Sequence, residues 1–275
     1  MREVDLKRLG LPGFEEAMVL IASECRRLNI PFMLIGAIAR DVLLSHIRTI
    51  EEAFRLTEDL DISVSVGSWD VFRALREALL SHDAVSSTSR PHTLTIDGLS
   101  VDLVPFGGLE DPSGYVSWEK DYRVFNVEGY SEALGEAEFV RVSNIAVRVV
   151  PLPAYVPLKT LAWRDRAEAR DAEDICTVLK SYYTAEIESI LERHSDLFEL
   201  ESGDVDFVGA RSYGRLVKGS PAVSEQLRSS MRKMLDDENR RYRLALDMGS
   251  GCHHDPDGRG AILSRFMQGL DDEFS

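Results

Sequence analysis

The chain has 275 residues and a mass of 30.8 kDa, enough for one large domain or two small ones. Hydrophobic residues at 44% and charged residues at 29% are globular proportions, which exclude a disordered, collagenous or coiled-coil protein. Asp and Glu outnumber Lys and Arg by 47 to 32, and the resulting charge of -15 excludes sequence-blind coating of nucleic acid; any nucleotide contact needs local cations or a bound metal.

Cysteines occur only at Cys25, Cys176 and Cys252, far apart and odd in number, so no disulfide framework is expected and a reducing compartment is. The opening MREVDLKRLG has no apolar stretch of the signal-peptide kind, and no run of about 18 apolar residues is long enough to span a membrane. The expectation is a cytoplasmic protein with no membrane partner.

Apolar spacing at Ala17, Leu20, Ile21 and Cys25 predicts a helix over 15–28. A short apolar run over 30–35 then predicts a buried strand ending at Gly36, followed by a helix over 37–47. A polar stretch (48–58) precedes LDISVSV, whose alternation predicts a strand over 60–66. Val71, Leu75, Ala78 and Leu79 place one side of a helix over 69–80. From 84 to 150 the texture is β, with TLTID and SVDLVPF joined by Asp97-Gly98, a hairpin signal, and a long loop punctuated by Gly107, Gly108, Pro112 and Gly114. Pro151, Pro153 and Pro157 close that region and everything beyond reads helical, with a mobile loop after Asp247 before a short last helix. The expectation is α+β: a small mixed-sheet domain over 1–150 followed by an all-helical domain over 151–275.

Three acidic residues stand out from their surroundings. Asp59 and Asp61, in T-E-D-L-D-I-S-V, are two positions apart on a strand and therefore point to one sheet face, roughly 6–7 Å apart. Carboxylates held so close repel each other unless a cation lies between them, and a Mg²⁺ pair meets that demand. Asp102, in S-V-D-L-V-P-F, converges on them if its strand pairs beside 60–66. The plainer alternative has Asp59 at a strand end and Asp102 facing solvent on an edge strand. Upstream, L-I-G-A-I-A-R-D joins strand to helix, where Gly36 permits a tight turn and free N–H groups attract an anion such as phosphate.

The succession Gly36-Ala37, Asp59-x-Asp61 and Asp102 resembles the nucleotidyltransferase superfamily that includes DNA polymerase beta. R-L-T-E-D-L-D-I, V-D-L-V-P-F-G-G and P-L-K-T-L-A-W-R-D-R-A-E-A-R-D-A-E-D-I are closer still to the AbiEii/AbiGii toxin-type nucleotidyltransferases, with Lys159, Arg166, Arg170, Asp171 and Asp174 on that family's later motif. The resemblance covers about residues 31–183. This chain departs from the family at Ala37, where Gly or Ser is usual, and in a longer gap between Gly36 and Asp59.

If residues 159–179 form one helix, Lys159, Trp163, Arg166 and Arg170 make a single stripe, a seat for triphosphate and base. The interleaved Asp165, Glu168 and Asp171 leave open a solvated, internally paired face instead. Arg55 and Thr57 either touch phosphate or order the loop ahead of the acids.

The resemblance implies transfer of a nucleoside monophosphate from a nucleoside triphosphate to a hydroxyl. Asp59, Asp61 and Asp102 then act as catalytic and metal-binding residues with Mg²⁺ or Mn²⁺, and Gly36, Ala37, Arg55, Thr57, Lys159, Arg166, Arg170 and Asp174 bind the nucleotide. It also implies a toxin opposed by an antitoxin protein, with an RNA end such as that of tRNA, or a protein, as acceptor. Two other readings stay open: an antibiotic-type small-molecule nucleotidyltransferase, and a non-catalytic nucleotide-binding or partner-docking module. Cys252, His253 and His254 read as a flexible tail rather than a zinc site, and His46, His82, His92 and His194 have no partner pattern.

Overall fold

The computed structural model describes residues 2–3, 11–44, 59–118, 124–249, 252 and 255–273. They form two compact units, Met1–Pro151 and Leu152–Ser275.

The first unit is built on a mixed eight-stranded sheet. In chain order its strands are β1 (Arg2–Glu3), β2 (Phe32–Ile35), β3 (Asp59–Ser65), β4 (Val85–Ser87), β5 (Thr93–Ile96), β6 (Leu99–Phe106), β9 (Glu138–Val142) and β10 (Ile145–Val149). The short strands β7 (Tyr115–Ser117) and β8 (Val124–Asn126) pair separately. The spatial order β1-β9-β10-β2-β3-β6-β5-β4 puts β2, β3 and β6 in the middle. All four residues of β2 are buried, as a continuous apolar run between two neighbours requires.

Helix α1 (Phe14–Arg27) buries Ala17, Met18, Ile21 and Cys25 along one face. Its acids Glu15 and Glu16 lie in the first turn and Arg26 and Arg27 in the last, complementing the helix dipole. Helix α2 (Gly36–Leu44) is buried on all sides from Ala37 to Leu44, and the rest of the helix expected to reach residue 47 falls outside the described residues. Helix α3 (Trp69–Leu80) starts at Ser68, whose hydroxyl accepts from the Val71 N–H, and buries Phe72, Leu75 and Leu79. A short helix, α4 (Tyr130–Gly135), interrupts the region read from sequence as β alone.

The second unit contains eight helices among the described residues: α5 (Leu152–Arg166), α6 (Ala169–Ala185), α7 (Ile187–Arg193), α8 (Asp196–Leu200), α9 (Val205–Gly219), α10 (Glu225–Leu235), α11 (Glu238–Asp247) and α12 (Pro256–Asp271). Helices α9 and α12 cross at Gly214 and Gly269, where a Cβ on Gly214 would lie 2.8 Å from the Gly269 Cα. The α+β architecture expected from the sequence is the one observed.

Three expectations are corrected here. Residues 159–179 are not one helix: the chain turns left-handed at Ala167 (φ 50°) and Glu168 is extended, so α5 and α6 are separate. The last helix is not short but 16 residues long, capped by the Asp255 carboxylate, which accepts from the Gly258 N–H at 2.8 Å, with Pro256 in its first turn. The cysteines are not all unpaired either: Cys176 of α6 and Cys252 form a disulfide with Cα atoms 6.1 Å apart, while Cys25 is free and buried.

Candidate active site

The sheet brings the three acids together through its strand pairing. β3 and β6 run parallel with Asp61 opposite Asp102, and Asp59 lies two residues back along β3 on the same face. Neighbouring strands are about 4.8 Å apart, so Asp61 and Asp102 are immediate neighbours. All three are partly buried at the point where β2 ends and β3 begins, since Ile35 pairs with Asp61. The alternative of Asp102 on an edge strand is ruled out, because β5 covers the other side of β6.

The position of Asp102 follows from local chemistry. Asp97 (φ 48°) and Gly98 (φ 85°) both take positive φ, as a two-residue type I′ hairpin demands. That turn pairs Ile96 with Leu99 and, counting outward, Thr93 with Asp102. The Thr93 hydroxyl donates to Asp102 Oδ1 at 2.5 Å. Thr93 was not singled out from the sequence, although the Asp-Gly turn fixes the count that leads to it.

Gly36 closes the site from the β2 side. It has φ +71°, a left-handed conformation that favours glycine, and it is the first residue of α2. A Cβ built there would run into the Asp61 carboxylate, 2.8 Å from its Cγ. Gly36 is therefore demanded by backbone and by packing together, and the N–H groups of Ala37 and Ile38 in the first turn of α2 point as helix-start donors do. Gly36→Ala is expected to cost about 1–3 kcal/mol of stability and to lower turnover at least tenfold by displacing Asp61. Thermal melting together with a transfer assay checks both effects, and a parental rate in the alanine variant would separate Gly36 from the site.

Among the described residues, no three His, Cys, Asp or Glu side chains enclose a metal ion by themselves. The donor set is nevertheless of the kind Mg²⁺ takes: this ion is held by one or two carboxylates and completes its octahedron with substrate phosphates and water. Asp59 and Asp61, two hard oxygen ligands on one sheet face, fit that partial coordination.

In the second unit the later-motif residues gather around two buried acids. Asp171, with a side chain 0% exposed, accepts from Lys159 Nζ at 3.1 Å and from Arg166 Nε and Nη2 at 2.6 Å each. Asp174 Oδ2 lies 2.7 Å from Lys159 Nζ and 3.4 Å from the Tyr155 hydroxyl. Burial opposes the Lys159 charge, but Tyr155, Asp174 and Asp171 outweigh it and hold its pKa above the usual lysine range. Burial likewise opposes the Asp171 charge, yet Arg166 and Lys159 keep its carboxyl below the usual aspartate range.

The expected stripe of cations beside an aromatic ring is thus not formed. Arg166 folds back onto Asp171, Arg170 pairs with Glu168, and Trp163 is buried with its Nε1–H donating to Asp247 at 2.8 Å. The paired-face alternative describes this segment better. Arg55 and Thr57, together with His253 and His254, lie outside the described residues.

With this geometry in hand, the chain can be compared with known proteins. The family described as nucleotidyl transferase AbiEii toxin, type IV toxin–antitoxin system, matches residues 25–257. No curated protein sequence matches the chain. Among solved structures it is similar to the antibiotic-resistance factor ANT(2'')-Ia in solution, at 15% identity and a TM-score of 0.38, covering 68% of this chain and 96% of that one. It is also similar to an antigenic nucleotidyltransferase-like protein from Paracoccidioides brasiliensis, at 14% identity and a TM-score of 0.41, covering 88% of this chain and 94% of that one. The chain belongs to the AbiEii nucleotidyltransferase toxin family.

Proposed function

We propose that this protein is a metal-dependent nucleotidyltransferase that moves a nucleoside monophosphate from a nucleoside triphosphate to a hydroxyl acceptor, and that it acts as a growth-inhibiting toxin. The observation that carries the reading is the register pairing Asp61 with Asp102, with Asp59 on the same face. In this reading Asp59 and Asp61 hold Mg²⁺ or Mn²⁺ and Asp102 completes the set. Divalent metal there supplies charge neutralisation at the triphosphate and the leaving pyrophosphate.

The chain's own residues do the rest. The acceptor hydroxyl oxygen bonds to the α-phosphorus while the bond to pyrophosphate breaks, and its proton passes to the Asp102 carboxylate. Gly36, Ala37 and the start of α2 receive phosphate oxygens through backbone N–H groups. Lys159, held by Asp174 and Asp171, is a fixed cation of the second unit and, with Arg166 and Arg170, is assigned to the nucleotide by the family resemblance rather than by geometry.

The acceptor is the end of an RNA such as tRNA or a protein hydroxyl, with a separate antitoxin protein in opposition. Incubation with each labelled triphosphate, Mg²⁺, total cell RNA and cell protein tests this. Label in RNA or in protein identifies the acceptor, and label in a small molecule assigns an antibiotic-type enzyme. Triphosphate binding without pyrophosphate release makes the protein a binding module and overturns the reading.

A further inference from the structure

We propose that Thr93 is a positioning residue of this site, its buried hydroxyl holding one oxygen of Asp102 so that the other is presented to the divalent cation. The inference rests on the reading of Asp59, Asp61 and Asp102 given above and adds a residue that reading does not use.

Four observations carry it. Thr93 is the direct cross-strand partner of Asp102, so the two side chains rise from the same face of adjacent strands. Its Oγ1 lies 2.5 Å from Asp102 Oδ1, a short bond of the kind a hydroxyl makes to a carboxylate. The residue is 1% exposed, so its hydroxyl is shielded from water. Its backbone has partners of its own, since its N–H donates to the Arg90 carbonyl and its carbonyl accepts from the Thr88 hydroxyl. The strand does not need the Thr93 hydroxyl; the carboxylate does.

The physical consequence concerns rotation. An aspartate carboxylate turns about two soft torsions, and a ligand that turns loses geometry at the metal. A hydroxyl has one proton to give, and here it goes to Asp102 Oδ1. A β-branched threonine is itself restricted about its first side-chain torsion, so the donor is fixed before the acceptor is. Carboxylates that ligate metals are characteristically held this way, and removing the holder weakens metal affinity by about 10–100-fold. In the row Asp61–Asp102–Thr93 across β3, β6 and β5, the outer residue acts through the middle one.

The test uses the full chain and Mn²⁺ alone, followed through the electron paramagnetic signal of the free ion, with turnover measured in parallel. Thr93→Val keeps shape and removes only the donor. It is expected to weaken Mn²⁺ binding about 10–100-fold and to slow transfer, with a melting temperature near the parental one. Thr93→Ser restores the donor and is expected to bring affinity back to within about threefold of the parent. If the valine chain does not fold, Thr93→Ala and Thr93→Ser, which differ by one hydroxyl, make the same comparison.

Parental Mn²⁺ affinity in the valine or alanine variant overturns the proposal, as does failure of serine to restore it. Asp102→Asn separates this from the reading beneath. If Asp102→Asn loses binding and transfer while Thr93→Val loses neither, only the role of Thr93 fails. If Asp102→Asn behaves as the parent, or the parent itself binds no Mn²⁺, the site assignment fails with it.

Discussion

Asp61→Asn is expected to abolish nucleotide transfer, by about 10³-fold or more, while leaving the fold as stable as the parent or more so. A loss of that size is about 4 kcal/mol of transition-state stabilisation, the order that one electrostatic group at a developing charge supplies. The sign on stability comes from the neighbours. Asp61 sits beside Asp102 across the strand pair and shares its face with Asp59, so three partly buried carboxylates repel one another in the metal-free chain. Asparagine has the same shape, keeps the packing against Gly36 and removes one negative charge. Relief of about 1 kcal/mol corresponds to a rise of a few degrees in Tm. Differential scanning calorimetry without metal, paired with the labelling assay, tests both halves. Parental turnover in Asp61→Asn would remove the acid row from the mechanism.

Asp171→Ala is expected to have the opposite signature, a large loss of stability. Its carboxylate is fully buried and shared between Lys159 and Arg166, so its removal takes from Lys159 one of its two buried acids and from Arg166 its two-pronged carboxylate partner, and leaves a cavity in its place. Lys159 keeps Asp174 and Arg166 is partly solvated, so the loss is about 2–3 kcal/mol, a fall of several degrees in Tm. The pH dependence follows from the same contacts. Asp171 has its folded pKa below the ordinary 3.8, so its contribution is complete above that value and is lost as pH falls through the folded pKa. Lys159 has its folded pKa above the ordinary 10.5, so its contribution is complete below that value and is lost as pH rises through the folded pKa. The parent should show a stability plateau between these limits, and Asp171→Ala should flatten the acid limb. An acid limb unchanged in the variant would show that Asp171 is not the group titrating there.

The acid site was largely legible in the sequence, because each of its parts is local. Alternation set the face of Asp59 and Asp61, and the Asp97-Gly98 turn set the register of Asp102 by counting. Only the pairing of β3 with β6 is long-range, and it needed the structure. The helical unit was less legible. The break between α5 and α6 falls in R-A-E-A, four residues with no Gly or Pro, all tolerant of helix. What ends α5 is tertiary: Ala167 turns left-handed and Arg166 reaches back to the buried Asp171. The Cys176–Cys252 bridge spans 76 residues and leaves no local mark. The start of the long last helix falls in the segment misread from sequence as a loop, although Asp255-Pro256, an N-cap followed by a first-turn proline, marks it.

The tight turn at Asp97-Gly98 has a consequence for how this gene can change length. Because sheet faces alternate with every residue, inserting or deleting a single codon on either strand between Thr93 and Asp102 would put these two side chains on opposite faces of the sheet, with no neighbouring loop to absorb the slip. The glycine-punctuated connection after β6, from Gly107 to Gly114, carries no such count toward the acids. A library of one-codon insertions and deletions selected for activity should therefore be empty across the hairpin and populated a few residues downstream.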